Sequence, residues 1–217
     1  HAEAHSNLGS LLKDLGKLQE AELSLRKALE IKPNLTEANS NLGSLLKDLG
    51  KLQEAFDSYL KVIDINPTLS NIYPVITRFL RDSDPSQLDK SKLKHILNLL
   101  LERNDVKHKE LVRVFNFVYS NEIINILEKF DSDFSEIESL VNDKVIINAL
   151  KKIIFKDITL EKLLTNIRKY LCNKITKNKK EISYSELQLI IALGEQCFLN
   201  EYVYSLTEEE NISVDNI

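Results

Sequence analysis

Residues 6–21 read SNLGSLLKDLGKLQEA, and residues 40–55 read the same sixteen letters again. The offset is 34 residues, which marks an internal repeat built from one supersecondary unit. Each copy carries the signals of two helices joined by a tight turn. Leu8 and Leu12 sit four apart and so stack on one helical face. Gly9 and Ala21 are small where two antiparallel helices must approach closely, which gives a helix-interior glycine a packing reason for its intrinsic cost. Leu15-Gly16-Lys17 and Leu49-Gly50-Lys51 end the first helix of each pair, with glycine supplying a left-handed cap. Pro33 and Pro67 stop the second helices.

The position pattern resembles that of the tetratricopeptide repeat. In the first copy it runs His5, Leu8, Gly9, Leu12, Ala21, Leu25, Ala28 and Pro33; in the second, Asn39, Leu42, Gly43, Leu46, Ala55, Tyr59, Val62 and Pro67. The resemblance implies a helix-turn-helix solenoid over residues 1–67. It also implies that the first helix of each pair lines a peptide groove. The groove positions map onto Glu3, Ser6, Ser10, Lys13 and Asp14, and onto Glu37, Ser40, Ser44, Lys47 and Asp48. Chaperone-binding members use lysine and asparagine at some of these places to clamp a C-terminal carboxylate. Here Ser6, Ser10, Ser40 and Ser44 stand instead, which argues against that specificity. A protein or peptide partner is the expectation, with Ser6, Ser10, Lys13, Ser40, Ser44 and Lys47 as the groove candidates.

A degenerate third copy is expected over residues 68–84. Tyr73, Ile76, Thr77 and Leu80 fit a first helix, with Thr77 replacing glycine, and Asp84-Pro85 breaks the chain where the turn belongs. A terminal repeat departs from the pattern because it must close an exposed face. Residues 85–206 keep helical periodicity without the 34-residue rhythm. Leu93, Ile96, Leu97 and Leu100 mark one helix, Leu111, Val114, Phe115 and Val118 another, and Ile123, Ile124 and Leu127 a third, short one. Ile137, Leu140 and Val141, then Val145 to Ile154, read as helix in the absence of hairpin turns. Leu160, Leu163, Leu164, Ile167 and Leu171 form a clear apolar stripe. Ser183 precedes Glu186 by three, a capping box opening a helix through Leu187, Ile190, Ile191, Gly194 and Phe198. Residues 207–217 form an acidic polar tail. The fold class expected is all-α, a solenoid passing into an irregular helical bundle.

The bulk properties fit. Among 217 residues there are only five glycines and four prolines, too few for a turn-rich β architecture. The formal net charge of -4 disfavours nucleic acid and anionic membrane as partners. No apolar run approaches the roughly 18 residues of a membrane span. Two cysteines, Cys172 and Cys197, make no disulfide framework, so a reducing, cytoplasmic setting is expected. The chain contains no methionine and opens at His1 inside a repeat, which reads as a fragment of a longer product. Exposed repeat ends in such a piece invite self-association.

Candidate chemistry is sparse. Asp131-Ser132-Asp133 matches the Asp-x-Asp of some glycosyltransferase metal sites, but between Phe130 and Phe134 it reads as a polar interhelical turn. His5, His95 and His108 have no zinc-ligand spacing, and His5 occupies a repeat packing position. Cys197 has no local base to activate it. The glycines are spread singly, so no phosphate-cradling loop exists. Lys177, Lys179 and Lys180 read as a solvated loop. No catalytic residue, cofactor or metal is expected.

The stretch LGEQCFLNEYVYSLTEEE, Leu193 to Glu210, sets Gln196, Asn200 and Glu201 among aromatics. Together with the LEKLLTNIRKYL helix, Leu160 to Leu171, it resembles the helical region ahead of the catalytic domain in bacterial tetratricopeptide proteins that carry an S-adenosylmethionine-dependent methyltransferase. That implies a non-catalytic front portion of such an enzyme, with Gln196, Asn200, Glu201 and Tyr202 as a docking surface for the following domain. A buried helix whose polar groups cap neighbours fits the same residues. The strand and glycine-rich turn that hold the methyl donor do not occur up to Ile217. Two other readings are the repeat region of an O-linked glycosyltransferase and a stand-alone structural adaptor.

Overall fold

A computed structural model gives the coordinates, and it describes residues 1–129, 142–155, 158–178 and 182–199. These residues are all-α, with ten α-helices and no strand. They fall into two compact units, residues 1–93 with 105–110, and 94–104 with 111–217. Among the described residues no helix is long and apolar enough to cross a membrane.

The first unit opens with two helix pairs, α1 (Ala2–Asp14) with α2 (Leu18–Ile31) and α3 (Thr36–Asp48) with α4 (Leu52–Ile65). The glycines do what their positions require. A Cβ on Gly9 would lie 2.5 Å from Leu25 Cγ and 3.2 Å from the Ala21 carbonyl oxygen. On Gly43 it would lie 2.8 Å from Tyr59 Cε1. Gly16 and Gly50 both take φ 74°, where a side chain would strain the backbone. Each turn closes with two hydrogen bonds: Gly16 N–H to the Lys13 carbonyl at 2.9 Å and Lys17 N–H to Leu12 at 2.9 Å, repeated at Gly50 and Lys51. This is the Schellman arrangement.

The fifth helix, α5 (Ile72–Asp82), buries Tyr73, Ile76, Thr77 and Leu80. Thr77 returns its hydroxyl to the Tyr73 carbonyl at 2.8 Å. Phe79 packs against the rings of Phe56 and Tyr59, with centroids 6.0 and 5.4 Å away. A short 3-10 turn at Pro85–Gln87 follows, with the Asp84 side chain accepting from the Ser86 N–H at 3.1 Å. The helix α6 (Lys90–Glu102) then buries Leu93, Ile96, Leu97 and Leu100.

Identical letters do not have identical surroundings. Leu42, Leu45 and Leu46 are buried in α3, but Leu8 is 46% and Leu11 57% exposed in α1. Leu8 shares its helical face with Leu12, as its spacing requires, but that face is not covered in α1. The first repeat lies against α3 from one side only, and among the described residues nothing covers the other.

In the second unit, α7 (Val112–Lys129) runs unbroken for 18 residues, so Ile123, Ile124 and Leu127 extend it and form no separate helix. No glycine or proline interrupts that stretch, and Asn121 faces solvent without breaking it. The helix α8 (Lys144–Lys152) ends before Ile153, which is buried in extended backbone. The apolar stripe Leu160, Leu163, Leu164, Ile167 and Leu171 is the buried face of α9 (Ile158–Asn178). Phe115 stacks near Tyr119 and Phe155, at 4.8 and 4.9 Å between centroids.

The last described helix, α10 (Tyr184–Leu199), opens with the expected capping box. Ser183 N–H donates to Glu186 Oε2 at 2.9 Å, and Glu186 N–H donates to Ser183 Oγ at 3.3 Å. Lys174 on α9 donates to the same carboxylate. Residues 130–141, 200–206 and the expected tail at 207–217 lie outside the described residues.

Two expected outcomes test this packing. Gly9→Ala should destabilise the first unit by about 1–3 kcal/mol through overpacking against Leu25. Gly194, with nothing within 4 Å of a built Cβ, should gain about 0.5–1 kcal/mol on change to alanine. Thermal melts of both variants by circular dichroism check the opposite signs. Burial pushes the Glu186 carboxyl up, but the bonds from Lys174 and Ser183 outweigh it and hold the pKa below its ordinary 4.5. A depressed carboxylate stabilises the fold above that value and loses the contribution as pH falls through the folded pKa. Acid titration should therefore show the wild type and Glu186→Gln differing near neutrality and drawing together as pH falls from about 4.5 through the lower folded pKa.

Candidate functional site

The inner helices α1, α3 and α5 share one polar face, and its side chains are tied across the repeats. Lys13 Nζ lies 3.1 Å from Asp48 Oδ2 and also donates to Ser44 Oγ. One repeat on, Lys47 Nζ lies 3.2 Å from Asp82 Oδ2. Arg81 then takes Asp82 Oδ1 at 2.7 Å and Glu110 Oε1 at 3.3 Å. The Arg81 guanidinium, with Lys47 beside it, holds the Asp82 carboxyl below the usual carboxylate range against partial desolvation. Burial raises the Tyr59 hydroxyl to about 12, opposed by its bond to Ser44.

The groove candidates thus divide. Lys13, Lys47 and Ser44 are already engaged in the ladder. Ser6 is corrected from groove residue to interior residue: it is fully buried, and its Oγ has no hydrogen-bond partner among the described residues. Packing explains this, because α1 lies directly against α3 whereas α5 packs chiefly against α4. Ser10 and Ser40 remain half-buried at the surface of the face. Two exposed charges complete it, Glu37 on α3 and Arg78 on α5, neither in an ion pair among the described residues. Arg78 lies four residues before Asp82, hence on the same side of its helix. Sequence reasoning missed Arg78, although adding 34 twice to Ser10 reaches it.

Residues 2–35 and 36–69 each match the tetratricopeptide repeat family model. No curated protein matches the chain. Two tetratricopeptide repeats therefore occupy the N-terminal 69 residues. Repeats of this kind commonly mediate protein–protein contacts.

On the outer helices a second ladder joins the repeats. Glu22 takes Lys51 at 2.9 Å and Arg26 at 2.8 Å, and Arg26 also takes Glu54 at 2.7 Å. The Lys51 bond leads in holding the Glu22 carboxyl low, against burial. Farther on, Gln53 Oε1 accepts the Asp89 N–H at 2.8 Å, and Lys92 takes Asp57 at 2.7 Å.

In the second unit the polar groups are turned on one another. Asp143 caps α8 through the Val145 N–H at 2.9 Å and accepts from Tyr119 at 3.0 Å and Lys94 at 2.8 Å. The Lys94 ammonium lies 4.9 Å from the Tyr119 ring centroid. Burial, then the Asp143 charge, drives the Tyr119 hydroxyl well above its ordinary pKa. A half-open depression of about 140 Å³ between α7 and α9 has Asn116, Ser120 and Thr159 as its polar lining and carries no titratable group. Gln196 is fully buried, which fits the interior reading of that residue and withdraws its side chain from a docking surface. Asn200, Glu201 and Tyr202, the Asp131-Ser132-Asp133 turn, Lys179 and Lys180 lie outside the described residues, as do the side chains of Lys177 and Cys197.

The inner ladder consists of partly exposed pairs and should contribute little to stability. Asp82→Asn, which releases both Lys47 and Arg81, should cost under about 1 kcal/mol. Its melting should lose salt sensitivity relative to wild type, as urea or thermal denaturation at low and high ionic strength will read.

Proposed function

We propose that the first unit is a peptide-binding module whose ligand lies across α1, α3 and α5. Three features support this: the two repeat matches, the half-buried hydroxyls of Ser10 and Ser40, and the exposed charges of Glu37 and Arg78. The observation that carries the specificity is the engagement of Lys13 and Lys47 by Asp48 and Asp82. Paired in this way, the two lysines form no free carboxylate clamp. The ligand is then an extended or helical peptide read by hydroxyls and by one acidic and one basic contact.

The larger setting proposed is the non-catalytic front of a methyltransferase-like bacterial protein in the cytoplasm. It rests on the resemblance of residues 160–171 and 196–203 alone. Of these, Leu160, Leu163, Leu164, Ile167 and Leu171 are core residues of α9, so their pattern has a structural reason as well. The glycosyltransferase and adaptor readings share the same binding module and differ only in what adjoins it.

A random peptide display selection on the purified chain tests the module. Enriched peptides should bind the wild type, and Ser40→Arg or Arg78→Glu should weaken them at least about tenfold, the loss of one charged or blocked contact. Enrichment that survives both substitutions removes the site from this face.

A further inference from the structure

A depression in the second unit has the build of a small-molecule site. It lies where α7 packs on α9, is half open, and has a volume of about 140 Å³. One stripe of α7 supplies Asn116, Ser120, Ile123 and Ile124, spaced i, i+4, i+7 and i+8, and the first turn of α9 supplies Thr159 and Leu160. Ile123 and Leu160 are buried at its floor, whereas Ile124 and Thr159 are exposed at its mouth. Asn116 and Ser120 are half-buried on its wall. None of the three polar side chains makes a hydrogen bond among the described residues. Elsewhere in the chain, mid-helix hydroxyls donate to the carbonyl one turn back: Ser58 to Glu54, Thr77 to Tyr73 and Thr176 to Cys172, each at 2.8 Å. Ser120 makes no such bond, so its hydroxyl is available to whatever enters.

We propose that this depression binds a small neutral molecule, an apolar ring carrying one amide or hydroxyl group. Three constraints select the class. The volume is close to that at which an apolar protein cavity takes up benzene, which sets the occupant at about six to nine non-hydrogen atoms. The lining carries no titratable group, so a charge drawn in would lose water without gaining a counter-ion. An amide and two hydroxyls both donate and accept, which suits a neutral end that does the same. An apolar floor with a few convergent polar groups is the usual composition of a ligand site. A protein partner fits less well. The residues exposed beside Ile124 on α7 are Asn121, Asn125 and Glu128, and an apolar patch confined to one depression supplies no interface core. The site belongs to the second unit and depends on neither the repeat assignment nor the peptide face.

Saturation-transfer NMR on the 217-residue chain is the test, with benzamide and benzyl alcohol as neutral probes and benzoate and benzylammonium as their charged counterparts. The neutral probes should bind with a dissociation constant of about 1 mM, and the charged ones at least about tenfold more weakly. Ser120→Leu, which fills the depression from its wall, should abolish the transfer with unchanged helical circular dichroism. Thr159→Val keeps the shape at an exposed position and removes one hydroxyl. It should weaken both neutral probes several-fold and leave the binding of toluene, which has no polar end, unchanged. Absence of transfer to either neutral probe at about 10 mM overturns the proposal. So does equal binding of benzoate, or binding that survives Ser120→Leu. Silent neutral probes together with altered sedimentation of Ser120→Leu would assign the depression to a protein contact instead, and would likewise overturn it.

Discussion

Where the two helices of a repeat cross, the backbone of one must come within touching distance of a side chain on the other. At Gly43 a Cβ would stand 2.8 Å from the Tyr59 ring, and at Gly9 it would stand 2.5 Å from Leu25 Cγ. The rest of the first unit depends on that approach. It fixes the separation of the helices within a pair, and with it the height at which the next pair must sit. Two pairs of the same geometry then stack in one register. The polar ladders follow, because a fixed register places Lys13 beside an aspartate 35 residues on, and Lys47 beside another at the same separation. The pairs themselves are partly exposed and contribute little; their regularity is a consequence of the packing and not its cause.

The repeats were legible because duplication, glycine placement and proline stops all point to one unit. Local environment was not legible, since identical letters carry no record of what lies next to them. Leu8 and Leu42 have the same neighbours in sequence and opposite fates in space. Ser6 and Ser40 diverge for the same reason, because α1 has α3 against it while α5 leans on α4. The engagement of the groove lysines was within reach of the sequence: the repeat period plus one leads from Lys13 to Asp48 and from Lys47 to Asp82. The pattern was read as separate positions on one helix, and the link between helices was missed.

Past Pro85 the signals are local. Caps and stripes survive without a period, so the Ser183 and Glu186 box and the face of α9 could be read directly. Long-range pairings could not. Asp143 joins Tyr119 and Lys94 across 24 and 49 residues, and no spacing rule connects those three. The length of α7 was misjudged because Ile123, Ile124 and Leu127 were read as a separate short helix, although Ser120 and Asn121 between the two apolar groups break nothing. A helix tolerates such residues wherever they face water, and only glycine, proline or a capped end would have stopped it.

The same distinction governs what the proposed peptide face would select. A carboxylate clamp requires cations held ready without partners. Here each inner lysine already has an aspartate within 3.2 Å, so an incoming carboxylate must displace one anion to reach the cation. Because the pairs are still partly open to water, that exchange is close to neutral, and an exchange close to neutral discriminates poorly. Selectivity then falls to groups whose alternatives are worse. A half-buried hydroxyl such as Ser10 or Ser40 loses its water when a peptide covers it, and it must regain a partner or impose a cost of about 1–3 kcal/mol. Two half-buried hydroxyls at different positions of their repeats, Ser10 and Ser40, would therefore constrain such a ligand more tightly than Lys13 and Lys47.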